Sequence, residues 1–186
     1  MTREKANKLD RKTMRIIKYL VIILIVVFAL DSCRKIEQLP PVPHIEFTSF
    51  TIFDTIDILE NKAKGGRLKF YFEDGDGDLG LKGLSENQAD TTNMFLTLFR
   101  KQGGKMVPAP DIDPLLPYSS YRIPYMERLG LNKILKGTIS VTFLYMFYSP
   151  GDTIRYDFYI KDRALNESNV ASTVEIVISA NNIYTK

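Results

Sequence analysis

Apolar and polar residues alternate along most of the chain beyond residue 43, in short runs that Gly, Pro, Asn and Asp interrupt. Alternation places successive side chains on opposite faces of a strand, whereas helical periodicity is nearly absent. The pattern predicts seven strands, at residues 44–53, 67–73, 94–101, 105–108, 138–147, 153–161 and 172–179. Because each strand has one apolar and one polar face, we predict an all-β sandwich of two antiparallel sheets over residues 44–180, with a short tail at 181–186.

The connections between the predicted strands are of two kinds. Adjacent Gly103 and Gly104 predict a hairpin, since they supply the positive φ that a primed turn requires. Residues 110–137 contain four prolines and form a connection that is unusually long for a sandwich, with at most one helical turn near 126–129. Residues 144–148 are apolar on both strand faces, which predicts that this connection or a partner covers them.

The net charge of +3 is concentrated at the N-terminus. Seven of the 25 Lys and Arg residues and three of the 22 Asp and Glu residues precede Cys33, so the rest of the chain carries 18 basic and 19 acidic residues. Because the excess of basic residues is confined to the N-terminus, the rest of the chain lacks the positive charge on which nucleic-acid binding depends. We therefore expect no nucleic-acid partner.

The N-terminal residues have the layout of a signal peptide. A basic segment is followed by the apolar stretch YLVIILIVVFAL at 19–30, and then by small or polar residues. Twelve helical residues reach about 18 Å, which is short of the ~30 Å hydrocarbon core of a membrane. We predict a leader over residues 1–32 and an extended, Pro-rich tether over residues 33–43, because the three prolines at its end disfavour a helix.

The sequence Leu-Asp-Ser-Cys at residues 30–33 resembles the lipobox of bacterial lipoproteins. The resemblance implies that the leader is cleaved before Cys33 and that Cys33 is lipidated with palmitate, which anchors the protein to a membrane. Asp31 departs from the small or apolar residue that is usual at its position. Two alternatives stay open: an uncleaved leader that forms a single-pass inner-membrane anchor, and an incidental thiol. As the only cysteine, Cys33 excludes an intramolecular disulfide.

The segment SPGDTIRYDFYIKDRALNESN at 149–169 resembles the strand F region of immunoglobulin-like and fibronectin type III domains. In those domains a Pro-Gly turn leads into a strand that carries a tyrosine, followed by an Asp-containing loop and the last strand. Asp152 and Tyr156 have the spacing of a tyrosine corner, in which the phenol hydrogen-bonds back to the chain at the turn. The chain has no Trp and no Cys pair, so the resemblance implies a generic Ig-like sandwich and not an antibody-type domain.

The lipobox, the tether, the FEDGDGDLGL loop and this last hairpin together resemble the small Ig-like cell-envelope lipoproteins of the Bacteroidota. The resemblance implies an outer-membrane lipoprotein with no established molecular activity. Surface-exported lipoproteins of that phylum carry acidic residues just after the cysteine, whereas this chain has Arg34 and Lys35, which favours the periplasmic side. We expect a non-catalytic module that binds or supports another envelope protein.

The sequence DGDGDLG places Asp74, Asp76 and Asp78 at alternate positions directly after a predicted strand. The first half of an EF-hand loop has ligands at the same positions, 1, 3 and 5. An EF-hand also needs glycine at position 6 and glutamate at position 12, where this chain has Leu79 and Ser85. The EF-hand interpretation therefore fails in the second half of the loop.

Two interpretations of the acidic loop stay open. In one, the loop is a turn whose Asp side chains accept local N–H groups, while Gly75 and Gly77 supply left-handed backbone. In the other, it shares one end of the sandwich with the loop after residues 153–161, because that strand and the strand at 67–73 run in the same direction. The residues gathered there would be Asp74, Asp76, Asp78, Asp162, Asn166 and Glu167. Because close carboxylates repel one another, this arrangement predicts a structural Ca²⁺ site.

Other chemistry has little support in the sequence. His44, the only histidine, begins the first predicted strand without a nucleophile motif beside it, and neither a phosphate loop nor zinc-ligand spacing occurs. We therefore expect that the protein is not an enzyme. One alternative to this expectation is an unrecognised envelope enzyme. A second is a carbohydrate-binding accessory protein that uses Tyr118, Tyr121 and Tyr125 as an aromatic platform for a glycan. These tyrosines also fit a structural role, in which they cap an open edge of the sandwich.

Overall fold

The computed structural model describes residues 14, 17–23, 39–83, 92–110, 112–116, 118–127 and 133–186. The chain divides into two compact units, Met1–Gln38 and Leu39–Lys186. In the first unit residues 17–23 are helical, and no helix among the described residues is long and apolar enough to cross a membrane. Cys33, most of the predicted leader and the tether up to residue 38 lie outside the described residues.

The second unit is built from strands, most of which follow the alternation of apolar and polar residues. The strands are β1 (His44–Ile56), β2 (Lys62–Asp74), β3 (Met94–Gln102), β4 (Lys105–Pro108), β5 (Ser120–Tyr121), β6 (Leu135–Tyr145), β7 (Thr153–Ile160), β8 (Ala171–Ser172), β9 (Ile176–Val177) and β10 (Asn182–Thr185).

All strand pairs are antiparallel, and they form two sheets. The first sheet has the order β10-β1-β2-β6. In the second, β3 and β7 pair at the centre, β4 and β5 pair with successive parts of the other edge of β3, and β8 and β9 do the same along β7. The predicted all-β sandwich of two antiparallel sheets is confirmed.

The core lies between the inner faces of the two sheets. Phe50 and Phe70 of the first sheet contact Tyr156 and Phe158 of the second, with ring centroids 5.9 Å and 5.2 Å apart. All four side chains are fully buried. Burial of a large apolar side chain contributes about 1.5–3 kcal/mol, so these aromatic contacts are a major source of sheet-to-sheet stability. Alternate residues of β7 are buried along its whole length, as the sequence predicts.

The last predicted strand, at 172–179, is interrupted in the structure. The N–H of Tyr156 donates to Thr173 Oγ1 at 3.0 Å, where a regular ladder uses a backbone carbonyl. A side-chain acceptor therefore breaks the ladder, and the segment divides into β8 and β9. Val174 continues the alternation of Ile176 and Ile178, which are buried, but it is itself exposed at this interruption.

The C-terminal residues form a strand that the alternation pattern does not predict. Residues 182–185 make up β10, which pairs with β1 where a tail was expected at 181–186. Tyr184 secures this strand, because its hydroxyl bonds to both the N–H and the carbonyl of Val177 at 3.1 Å. A four-residue segment is too short for its alternation to be recognised.

The long connection leaves the second sheet after β4 and enters the first at β6, so it crosses between the sheets. Its residues 126 and 127 are not helical, and 128–132 lie outside the described residues. Arg100 of β3 holds the connection, because its guanidinium donates to both carboxylate oxygens of Asp113 at 2.5 and 2.7 Å. The same guanidinium donates to Asp152 at 3.0 Å.

The tyrosine corner predicted for Tyr156 is wrong. The Tyr156 hydroxyl donates to the carbonyl of Leu115 in the long connection and lies 3.1 Å from the hydroxyl of Tyr145. It does not reach back to the preceding turn, because Leu115 is buried in the core and brings its carbonyl within reach. Asp152 instead accepts the N–H of Ser149 at 2.6 Å.

Candidate functional site

The two ends of the sandwich differ in their chemistry. Residues 39–43 lead into β1 at one end, where the loops 75–83 and 162–170 also lie; we call this the tether end. At the opposite end the β1–β2 turn lies beside the β6–β7 turn, since Lys64 pairs with Tyr145 there. We call this the far end.

The acidic loop at the tether end brings three carboxylates together. Asp74 is the last residue of β2 and continues the inward face of Phe72, so its side chain is completely buried. One carboxylate oxygen from each of Asp74, Asp76 and Asp78 lies within 4.8 Å of the other two. Asp74 Oδ2 accepts the N–H of Leu79 at 2.7 Å, whereas Asp74 Oδ1 is buried without a hydrogen-bond partner among the described residues.

The proximity of these carboxylates is electrostatically unfavourable. Burial, together with the charges of Asp76 and Asp78, raises the pKa of Asp74 to about 6. Burial also raises the pKa of Asp78, and the charges of Asp162 and Asp76 act in the same direction, whereas Arg163 lowers it. Ionised carboxylates in such a setting need a compensating cation or several donors.

The loop after β7 meets the acidic loop through two residues. The N–H of Arg163 donates to the Asp78 carbonyl at 3.4 Å, and its guanidinium donates to the Gly80 carbonyl at 2.9 Å. The N–H of Ala164 donates to the Asp78 carboxylate. The two loops therefore lie in contact at one end of the sandwich, as the directions of their strands predict.

The other three residues of the predicted metal set are engaged elsewhere. Asp162 caps its own turn, because its carboxylate accepts the backbone N–H and the side-chain amide of Asn166, each at 2.8 Å. Glu167 forms an ion pair with Lys161 at 3.0 Å. Three of the six residues thus share one site, and Asp162 acts on it through its charge alone.

Glycines shape the acidic loop for two different reasons. Gly77 and Gly80 have positive φ, at 66° and 92°, which L side chains rarely adopt. Gly75 was expected to do the same, but it is not among the residues with positive φ. Its requirement is space: a Cβ there would lie 2.3 Å from the carbonyl oxygens of Leu39 and Pro40. The N–H of Gly75 donates to the Pro40 carbonyl at 3.1 Å, so this loop packs on the end of the tether.

The three tyrosines predicted as a glycan platform have different environments. Tyr118 is 69% exposed. Tyr121 packs edge-on against Phe143 at 5.5 Å, and burial raises its pKa to about 12. The planes of Tyr118 and Tyr121 are nearly perpendicular, at 87°. Two cationic groups, Lys82 Nζ and Arg163 Cζ, lie 5.3 and 5.2 Å from the centre of the Tyr125 ring. The rings therefore do not form one flat surface.

The far end carries exposed apolar side chains from both of its turns. We define the apolar patch as Ile56, Ile58, Leu59, Met146, Phe147 and Tyr148, all of which are exposed. Of residues 144–148 only Tyr145 is buried, and Phe147 is 70% exposed, so the described part of the long connection does not cover this segment. That a partner covers it stays a prediction. The half of the patch on the β1–β2 turn was not predicted from the sequence. Apolar residues at a turn between two strands are a signal that could have indicated it.

The single histidine of the chain lies on the outer face of the first sheet. The side chain of His44 is exposed, and its Nε2 lies 3.6 Å from a carboxylate oxygen of Glu46 on the outer face of β1. This pair lies at the surface of one strand, away from the acidic loop's inward-facing Asp74.

In comparisons with known proteins, no family model matches the chain, and no curated protein or solved structure matches it at a significant level.

Proposed function

We propose that the protein is a membrane-anchored, non-catalytic lipoprotein of the cell envelope whose β-sandwich binds another envelope protein. In this proposal the lipid on Cys33 attaches the chain to the periplasmic side of the outer membrane. The tether separates the domain from the bilayer, and the far end of the sandwich is the binding surface. The observation that carries the binding role is the apolar patch.

The apolar patch has the features of a protein-binding surface. Five of its six side chains come from two turns, where polar residues are usual, and the sixth, Ile56, ends β1. Ile58 is 98% exposed. Contiguous exposed apolar residues on a soluble domain mark interaction sites. Polar and charged groups border the patch, among them Asp54 and Lys62 beside Tyr148. An apolar centre with a polar rim is the usual composition of an interface.

The position of the patch supports the same role. A concavity of about 630 Å³ lies between Tyr148 and the neighbouring segments of β1 and β2, and it is wide enough to receive a partner's side chain. The chain enters the sandwich at the tether end, whereas the patch lies at the far end. A domain held at its tether end keeps the far end accessible to a neighbouring protein.

The strand order supports an Ig-like identity for the sandwich. The order β1-β2-β6 in one sheet and β3-β7-β8 in the other corresponds to the A-B-E and C-F-G orders of Ig-like domains. Strand β4 pairs with β3 and not with β6, and β10 adds a strand beside β1. Ig-like sandwiches commonly bind through the loops at one end.

Site-specific photo-crosslinking in intact cells tests the binding role. A photoreactive residue at Phe147 is expected to yield a discrete crosslinked species of higher mass. The same residue at Tyr118 is the matched control, because Tyr118 is an equally exposed aromatic residue outside the patch. A crosslink at Phe147 that is absent at Tyr118 supports the proposal.

Two outcomes would contradict it. If neither position yields a crosslinked protein, the patch has no partner under the conditions in which the protein is anchored. If only Tyr118 yields a product, the long connection binds the partner and the apolar patch does not.

A further inference from the structure

We propose that the acidic loop after β2 binds one Ca²⁺ ion through the carboxylates of Asp74, Asp76 and Asp78. The site is independent of the apolar patch, which lies at the opposite end of the sandwich.

The buried oxygen of Asp74 is the strongest indication of a ligand. Asp74 is fully buried, yet its Oδ1 has no hydrogen-bond partner among the described residues. A buried charged oxygen without a partner is costly, and native structures nearly always satisfy such atoms. Asp78 Oδ1, in the same cluster, is also a buried atom without a hydrogen-bond partner among the described residues. A cation between these atoms satisfies both of them at once.

The spacing of the three carboxylates fits calcium. Their oxygens lie within 4.8 Å of one another. Two oxygens on opposite sides of a Ca²⁺ ion are separated by about 4.8 Å, since each Ca–O distance is about 2.4 Å. Mg²⁺ requires shorter distances of about 2.1 Å and a stricter octahedral geometry. Mg²⁺ is also usually held by one or two carboxylates, whereas Ca²⁺ loops use several, so three carboxylates on one loop favour Ca²⁺.

The loop supplies fewer ligands than a complete EF-hand. Asp74, Asp76 and Asp78 occupy the positions of the first three EF-hand ligands, and Gly80 occupies the seventh position, whose carbonyl is the next ligand there. In this structure the Gly80 carbonyl accepts a hydrogen bond from Arg163. Three carboxylates supply fewer than the six to eight oxygens that Ca²⁺ takes, so water must complete the coordination sphere. We expect a dissociation constant of about 10⁻⁴–10⁻³ M, the range of extracellular calcium modules.

Calcium at this position would stabilise the junction between the tether and the sandwich. The N–H of Gly75, between two of the ligands, donates to the Pro40 carbonyl. On the other side of the loop, Asp78 accepts hydrogen bonds from Arg163 and Ala164. An ion that fixes the three aspartates therefore also fixes the two segments that pack against them.

Thermal unfolding of the full chain in detergent tests the site. After treatment with EDTA, addition of 10 mM Ca²⁺ is expected to raise the melting temperature by about 5 °C, because a ligand at ten or more times its dissociation constant stabilises the folded state. The same concentration of Mg²⁺ is expected to raise it less. Asp76→Asn, in one of the two half-buried members of the set, is expected to abolish the response to Ca²⁺.

Glu167→Gln is the matched control. Glu167 is an acidic residue at the same end, but it pairs with Lys161, so this variant is expected to keep the full response. Equilibrium dialysis with radioactive calcium provides a second measurement that does not depend on unfolding. One ion bound per wild-type chain, and none per Asp76→Asn chain, supports the site. A wild-type chain without bound calcium, or an Asp76→Asn chain that binds as the wild type does, overturns it.

Discussion

Replacement of Arg100 by methionine tests how the long connection is held to the sandwich. The guanidinium forms a bidentate pair with Asp113 and a third hydrogen bond to Asp152. The Asp113 side chain is only 4% exposed, so Arg100→Met leaves a buried carboxylate whose remaining donor is the N–H of Leu115. Breaking one partner of a buried pair costs about 3–5 kcal/mol. We expect about 3 kcal/mol, because Arg100 is partly exposed and water reaches it.

This loss is large relative to the typical stability of a domain, about 5–15 kcal/mol. For a chain of this size it corresponds to a decrease in melting temperature of about 6–12 °C at pH 7, measured by circular dichroism. Lys101→Met is the matched control. Lys101 follows Arg100 on β3 and pairs with Glu175 at 2.6 Å, and both side chains are exposed, so its loss is expected to cost less than about 1 kcal/mol.

The effect of Arg100→Met depends on pH in a defined direction. Burial raises the pKa of Asp113, but the hydrogen bonds from Arg100 and the Leu115 N–H outweigh it, so the pKa lies below the ordinary value of 3.8. A depressed carboxylate pKa contributes stability above pH 3.8 that is lost as the pH falls through the folded value. The difference in the free energy of unfolding between the wild type and Arg100→Met should therefore become smaller between pH 5 and pH 3. A cost below about 1 kcal/mol at pH 7, or a difference that does not change with pH, would refute this reasoning.

Two further predictions concern the tether. Gly75→Ala is expected to destabilise the domain by about 1–3 kcal/mol, since the added Cβ meets two backbone carbonyls at 2.3 Å. Gly151→Ala serves as the control in the same denaturant titration, because a Cβ there meets no atom of the described residues within 4 Å. Cys33→Ser is expected to abolish metabolic labelling with palmitate and to move the protein out of the membrane fraction. Labelling that persists in Cys33→Ser would contradict lipidation at that residue.

The main features of the sandwich are predictable from the sequence because side-chain alternation is a local property. In β7, alternate burial follows directly from the order Ile154, Tyr156, Phe158 and Ile160. The division of the last strand is not predictable in this way. It depends on Thr173, whose hydroxyl replaces a backbone acceptor only because Tyr156 lies opposite it. Alternation does not indicate which side chains compete with the ladder.

The candidate site also has one feature that the sequence predicts and others that it does not. The order of the strands correctly predicts that the acidic loop meets the loop after β7, since strand direction determines the end at which each loop emerges. Local hydrogen bonds decide which carboxylates then face one another. Asp162 does not join the cluster, because its carboxylate accepts the N–H and the side-chain amide of Asn166, four residues further on. The role of Gly75 depends on Pro40, thirty-five residues earlier in the chain, and is visible only in the folded structure.

The central claim, that the apolar patch binds another envelope protein, is tested most directly by the size of the protein in its native assembly. The lipoprotein is extracted from membranes in a mild detergent and separated by native electrophoresis. The wild-type chain and Tyr118→Ser are predicted to migrate in a complex larger than the single chain, whereas Ile58→Ser/Phe147→Ser migrates as the single chain. Migration of the wild-type protein as a single chain, or of all three proteins in the same complex, would contradict the claim.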